Sequence, residues 1–368
     1  MLAEFLQKRN LMPIWNDKNV TWASRRQEIA ELLCREEYGF MPKEHDKLTW
    51  TEETADFVFC AGRAEHKKVT LTAHFGEDSF SFPVYTSIPK KEGRLPFFIF
   101  INFRDNVPDR YLPVEEICDR GYAVVSFCYN EVTPDEAEGD PEDDPLAKIL
   151  YMGIEKKPYH AGKIRIWAWA ASRALDYALS LENLDPDRAF VAGHSRLGKT
   201  ALVACMLDDR FALTISNDSG CSGAAISRGK AGESIERITS VFPYWFCENY
   251  RRYAGKEDEA PFDQHFLIAS IAPRYVYVAS AEEDTWADPD SEYLSCYAAD
   301  EVYSKLGLRG FVCEDRLPRA TEICHEGMIG YHLRTGAHYL SREDWNYYMD
   351  FIEKHDLRKS HSSGTEPV

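Results

Sequence analysis

One stretch constrains this chain more than any other: Ala189-Phe190-Val191-Ala192-Gly193-His194-Ser195-Arg196-Leu197-Gly198-Lys199. An apolar run stops at a glycine and a serine, and a helix-like run through Ala204 follows at once. A strand that passes straight into a helix must bend sharply, and Gly193 lets the backbone fold back without a Cβ in the way. Ser195 is then expected at the apex, raised beyond the end of its strand. A serine so placed is a candidate nucleophile, although the second glycine comes at 198, one position later than in G-x-S-x-G. An ordinary strand-helix turn has the same pattern, so the weight of the motif depends on the rest of the chain.

Residues 47–88 alternate strand-like runs with turns, as an antiparallel entry to a sheet would. Two dense apolar runs, 95–101 and 122–127, suit the buried middle of a parallel sheet, with a short glycine-closed helix predicted between them at 112–121. Residues 135–145 are acidic and carry prolines, and are predicted to be a solvated loop over the sheet's edge. An amphipathic helix over 164–181 precedes the Ser195 strand. Strands at 211–215 and 275–279, and helices near 292–306 and 342–355, follow it. This alternation predicts a mostly parallel central sheet with helices on both faces, a three-layer α/β/α sandwich of the α/β-hydrolase type. One domain is expected over 1–358, with an N-terminal helical segment of about 45 residues packed on it. The polar stretch 359–368 is expected to be a disordered tail.

The net charge of -18, from 61 acidic and 43 basic residues, leaves no basic stripe for nucleic acid. The longest apolar run, 97–101, is far too short to span a bilayer, so no membrane partner is expected. The ten cysteines form no C-x-x-C pair and several lie in apolar runs, which reads as free buried thiols. With no basic-then-apolar leader at the start, a cytoplasmic setting is expected, or a periplasmic or secreted one if a leader has been removed.

A serine hydroxyl needs a general base to attack at neutral pH. In α/β-hydrolases the chain order is Ser, acid, His. Among the histidines after Ser195, His338 lies past a strand-like run at 331–334 and before the last helix, where the base is expected. Asp218 ends the first strand after the nucleophile, and Asp284 follows the next one. Both acids would sit at the carboxyl ends of parallel strands, where ligands bind. Asp284 is the favoured partner of His338, with Asp218 as a second acid or a substitute. Arg196 and Lys199 stand in the first turn of a helix, where the macrodipole disfavours cations, and such violations mark functional positions. Arg196 could join its own backbone N–H in stabilising an oxyanion. No metal and no cofactor is expected, since H-E-x-x-H is absent and His325-Glu326-Gly327 lacks a second histidine.

The segment 193–199 followed by Asn217-Asp218-Ser219-Gly220 resembles the glucuronoyl esterases of carbohydrate esterase family 15 and their bacterial relatives. Those enzymes carry G-C-S-R-x-G-K at the nucleophile. The likeness continues through Asp263-Gln264-His265, Ile271-Ala272-Pro273-Arg274 and Trp286-Ala287-Asp288-Pro289 to Gly336-Ala337-His338, covering about 160–355. It implies Ser195 as nucleophile, His338 as base, and Arg196 as an aid to the oxyanion. Family members place the acid after either of the two strands that follow the nucleophile, and here Asp218 and Asp284 fill both positions. Lys199 and Trp286 would contact hydroxyls of a uronate sugar. Glu236 falls at the family's sugar-binding glutamine and Phe242 near its glutamate. His194 replaces the cysteine through which fungal members form a disulfide.

The reading is a serine carboxylester hydrolase acting on a small carbohydrate ester, an ester of glucuronic or 4-O-methyl-glucuronic acid. The alternatives are an acetyl xylan esterase-type deacetylase, with acyl and alcohol sides exchanged, or a non-catalytic carbohydrate-binding descendant of the fold. Oligomeric state, leaving group and physiological substrate stay open.

Overall fold

The computed structural model describes residues 1–17, 19–136 and 144–357. Its ten strands are β1 (Lys47–Asp56), β2 (Ala64–Phe75), β3 (Asp78–Pro89), β4 (Leu95–Asn102), β5 (Ala123–Cys128), β6 (Leu184–His194), β7 (Leu213–Asn217), β8 (Tyr275–Ala281), β9 (Glu322–Cys324) and β10 (Ile329–Arg334). The helices are α1 (Leu2–Arg9), α2 (Trp22–Leu33), α3 (Val114–Asp119), α4 (Pro145–Tyr151), α5 (Lys163–Ala178), α6 (Arg196–Leu207), α7 (Ile235–Val241), α8 (Gln264–Ala269), α9 (Pro289–Lys305) and α10 (Arg342–His355).

All ten strands form one sheet in the order β1-β2-β3-β5-β4-β6-β7-β8-β10-β9. The first three pair antiparallel, and β5, β4, β6, β7, β8 and β10 run parallel as its centre. Strands β4 and β5 are apolar nearly throughout because both of their faces are covered, and Phe97, Phe98, Ile99 and Ile101 are fully buried. Alternate residues feed two cores. Phe97, Ile99 and Val191 face one layer with α5 and α6, while Phe98, Phe100 and Phe190 face the other with α3 and α10. This is the α/β-hydrolase fold.

The N-terminal segment is tied on by long-range hydrogen bonds. The Trp22 indole donates to Ala272 O at 2.9 Å, and Arg26 Nε donates to Ser270 O at 2.6 Å. Among the described residues no helix is long and apolar enough to cross a membrane. The expected tail at 359–368 lies outside the described residues, as does most of the 135–145 loop. The part of that loop that is described departs from expectation. Asp135 is not solvated: its side chain is 9% exposed and turns inward against Arg196. Asp144 caps α4, accepting from Ala147 N at 3.0 Å, so Pro145 opens a helix instead of ending a loop.

Candidate active site

The elbow forms as the residue pattern requires. Ser195 has φ 57 and ψ -126, a conformation that costs a non-glycine residue energy and lifts its side chain clear of the strand. A Cβ at Gly193 would lie 2.1 Å from Leu197 O, so only glycine lets the helix fold back over the strand's end. Gly198 faces the next strand, where an added Cβ would meet Ser219 Cβ at 3.1 Å and Asn217 O at 3.2 Å. The displaced glycine therefore packs α6 onto β7, and Ser195 N donates to Asn217 O at 2.8 Å.

The parallel topology then gathers residues far apart in sequence. Ser195 follows β6, Asp218 follows β7, Asp284 follows β8 and His338 follows β10, all at the carboxyl ends of adjacent parallel strands. They line a cleft of about 390 Å³ together with Arg196, Lys199, Ser219, Gly220, Glu233, Phe242, Trp245, Trp286 and Ala287. His338 Nδ1 lies 2.6 Å from Asp284 Oδ2, with the imidazole 43% exposed and the carboxylate almost wholly buried. Burial alone would raise the Asp284 carboxyl. The hydrogen bond from His338 and the imidazole's charge outweigh it and hold this acid below the usual range.

Asp218 is arranged differently. Its Oδ2 accepts from Arg334 Nη2 and from Tyr339 N, each at 3.2 Å. Burial, with Glu292 next in effect, pushes its carboxyl well above the usual range. Arg334, at the end of β10, also donates to Ala337 O at 2.9 Å, to Tyr339 O, and through Nε to both oxygens of Asp344. The guanidinium thus holds the backbone on either side of His338, and Asp218 belongs to that clamp. The sequence reading missed Arg334, although an arginine closing a buried strand just before His338 was a usable signal.

The two cations of the first helical turn have different surroundings. Arg196 is ion-paired with Asp135, and its guanidinium lies 4.7 Å from the Trp245 ring and 5.6 and 5.7 Å from the Phe242 and Phe103 rings. Asp135 also accepts from the Trp245 indole at 2.6 Å and the Tyr129 hydroxyl at 2.9 Å. Its countercharge accounts for a cation where the helix dipole disfavours one. Asp135 gave no sequence signal, since it opens a run of acids that reads as solvated. Lys199 is 4% exposed, donates to Ser219 O, and has its ammonium pKa lowered by burial.

Trp286, 53% exposed, stands at the rim of the cleft. Phe242 stacks on Trp245 at 3.9 Å and 3°. Glu236 is exposed and is not among the residues that line the cleft. Helix α7 begins at Ile235, capped by Ser234, and buries Ile235, Ile238 and Thr239. The residue after Ile235 is rotated about 100° away from that face. Glu233, three residues earlier, lines the cleft.

Among the described residues, Asp218, Asp284 and His338 are the group whose donor atoms lie close enough to hold an ion, all within 4.8 Å of one another. His338 Nδ1 and Asp284 Oδ2 are bonded to each other and Asp218 Oδ2 accepts from Arg334 and Tyr339 N, while Asp218 Oδ1 is buried without a partner. The ten cysteines are free thiols, most of them buried.

The chain is similar to known carbohydrate esterases. The family model described as "Glucuronyl esterase, fungi" matches residues 71–307. Carbohydrate esterase MZ0003, from an unknown prokaryotic organism, is 34% identical over 93% of this chain and 85% of its own length. A 4-O-methyl-glucuronoyl methylesterase of Podospora anserina is 28% identical over 78% of this chain, which spans only 56% of that protein. The solved structure of a glucuronoyl esterase from Solibacter usitatus superimposes with a TM-score of 0.85 at 30% identity, covering 94% of this chain and 97% of that one.

Proposed function

This chain belongs to the glucuronoyl esterase family of carbohydrate esterases, and on that premise we propose that it hydrolyses esters of the glucuronic acid carboxyl through Ser195, His338 and Asp284. The observation that carries the reading is the 2.6 Å Asp284–His338 hydrogen bond in the cleft over which Ser195 is raised.

His338 Nδ1–H donates to Asp284, which fixes the tautomer and leaves Nε2 free to take the Ser195 proton. Ser195 Oγ attacks the ester carbonyl, and the tetrahedral intermediate expels the alcohol, which His338 protonates. Water, activated by the same imidazole, then releases the uronate and restores the serine. The backbone N–H of Arg196 opens α6 and has no intrahelical acceptor, so it is available to the oxyanion. The Arg196 side chain, held by Asp135, adds positive potential beside it. Lys199, Glu233 and Trp286 supply a cation, an acceptor and an aromatic face suited to sugar hydroxyls.

A substrate panel tests the reading. Hydrolysis of an alkyl or benzyl ester of 4-O-methyl-glucuronate should exceed deacetylation of an acetylated xyloside, and Ser195→Ala should abolish both. Faster deacetylation would overturn the acyl assignment, and an active Ser195→Ala would overturn the mechanism.

A further inference from the structure

His194, the residue before the nucleophile, is 1% exposed, and its ring centroid lies 4.5 Å from that of His338 at an interplanar angle of 39°. Its Nδ1 is 2.6 Å from Asn217 Oδ1, and Asn217 Nδ2 donates to the Tyr348 hydroxyl at 3.0 Å. Because the amide nitrogen of Asn217 is turned to Tyr348, its oxygen faces His194, and His194 Nδ1 must carry the proton. His194 Nε2 is buried without a partner. An imidazolium here would leave a charged N–H with no acceptor in an apolar pocket, so the ring is held neutral. Phe103 and Tyr111 close that pocket, with ring centroids 6.0 and 5.0 Å from His194.

We infer that His194 is a positioning residue for the general base: its locked, neutral ring is the surface that fixes the plane of the His338 imidazole. The lock runs from Tyr348 on α10 through Asn217 on β7 to His194 on β6, so three elements set the ring's angle. Asp284 restrains His338 at one atom only, and the imidazole is otherwise 43% exposed. Rotation about that single bond would swing Nε2 away from Ser195, and contact with His194 opposes it. Charged groups near the pair include Asp284 and Asp218 from the ends of β8 and β7, Arg334 from β10, Asp344 from α10, Arg196 from α6 against Phe103, and Arg104 and Arg110 over the Tyr111 ring. Burial first, and then the charge of the neighbouring His338, push the His194 pKa down to about 3, in keeping with a neutral ring.

The inference rests on the proposed esterase reading, and steady-state kinetics on a glucuronate ester test it, with Ser195→Ala as control. His194→Asn keeps a donor for Asn217 and so keeps the link between the strands, but removes the ring. It is expected to lower kcat at least about tenfold with KM within twofold. His194→Phe restores a ring on the His338 face without the bond to Asn217 and is expected to recover part of that loss. Asn217→Asp would draw a charge onto His194, which disfavours the His338 imidazolium, so the acidic limb of kcat/KM should move to lower pH. An asparagine variant with parental kcat, or a phenylalanine variant as impaired as it, would overturn the inference while leaving the nucleophile assignment intact. An unmoved limb in a folded Asn217→Asp would overturn the neutral-ring element. If Asn217→Asp does not fold, the other two variants decide. Residual activity in Ser195→Ala would instead remove the reading on which the inference stands.

Discussion

Asp284 and His338, 54 residues apart in sequence, meet at 2.6 Å, whereas Asp218 on the neighbouring strand end is bonded to Arg334 and Tyr339 N. Two acids at equivalent sheet positions therefore do different work, one orienting the imidazole and the other securing the loop that bears it. Asp284→Asn is expected to lower kcat by about 10³–10⁴-fold, because the amide would favour the wrong imidazole tautomer. Asp218→Asn can still accept from Arg334 and Tyr339 N, and should stay within about tenfold of the parent. Parallel kinetics on the two variants would show it, and the reverse ranking would exchange their roles.

Asp135 should matter to both stability and rate. Asp135→Ala removes the acceptor of Trp245 and Tyr129 together with the countercharge of Arg196. Because the Arg196 side chain is 26% exposed, water softens the loss, and a cost of roughly 2 kcal/mol is expected. The unanchored guanidinium should lower kcat/KM about tenfold. Denaturant melts with ester kinetics measure both, and a variant matching the parent in each would mean that Arg196 needs no anchor.

Glu37 gives a pH-dependent difference in stability. It is fully buried, accepts from Gln264 Nε2 at 3.0 and 3.1 Å, and burial raises its carboxyl to about 8. A carboxyl whose folded pKa is raised is harmless below its unfolded value near 4.5 and destabilises increasingly as pH rises through the folded one. Glu37→Gln should therefore match the parent at pH 4.5 and gain on it up to about pH 8, by up to roughly 5 kcal/mol. Taking the difference between the two melts at each pH cancels the histidine titrations. A constant difference would show that Glu37 is solvated or compensated.

Gly193→Ala should not fold well. The added methyl would meet backbone atoms, Leu197 O at 2.1 Å and Leu197 C at 2.4 Å, and backbone cannot swing aside as a side chain can. The expected loss exceeds about 4 kcal/mol. A soluble Gly193→Ala with parental melting temperature and activity would contradict the elbow geometry.

The sequence by itself determined the sheet and the sharp turn at Ser195, because both follow from local patterns. The dense apolar runs at 95–101 and 122–127 suit strands buried on both faces, and a glycine two residues before Ser195 permits the reversal into α6. His338 was legible as a histidine in the right loop, and Asp284 as an acid after the right strand. Only the tertiary structure decided what each charged side chain meets. Arg334 and Asp135 act through partners 116 and 61 residues away, and one-dimensional spacing carries no record of such pairings. The same holds for Glu233 and Glu236, since where α7 is capped decides which of two nearby glutamates lines the cleft. Backbone patterning is written locally in the chain, whereas the environment of a charge exists only once distant strands have been brought side by side.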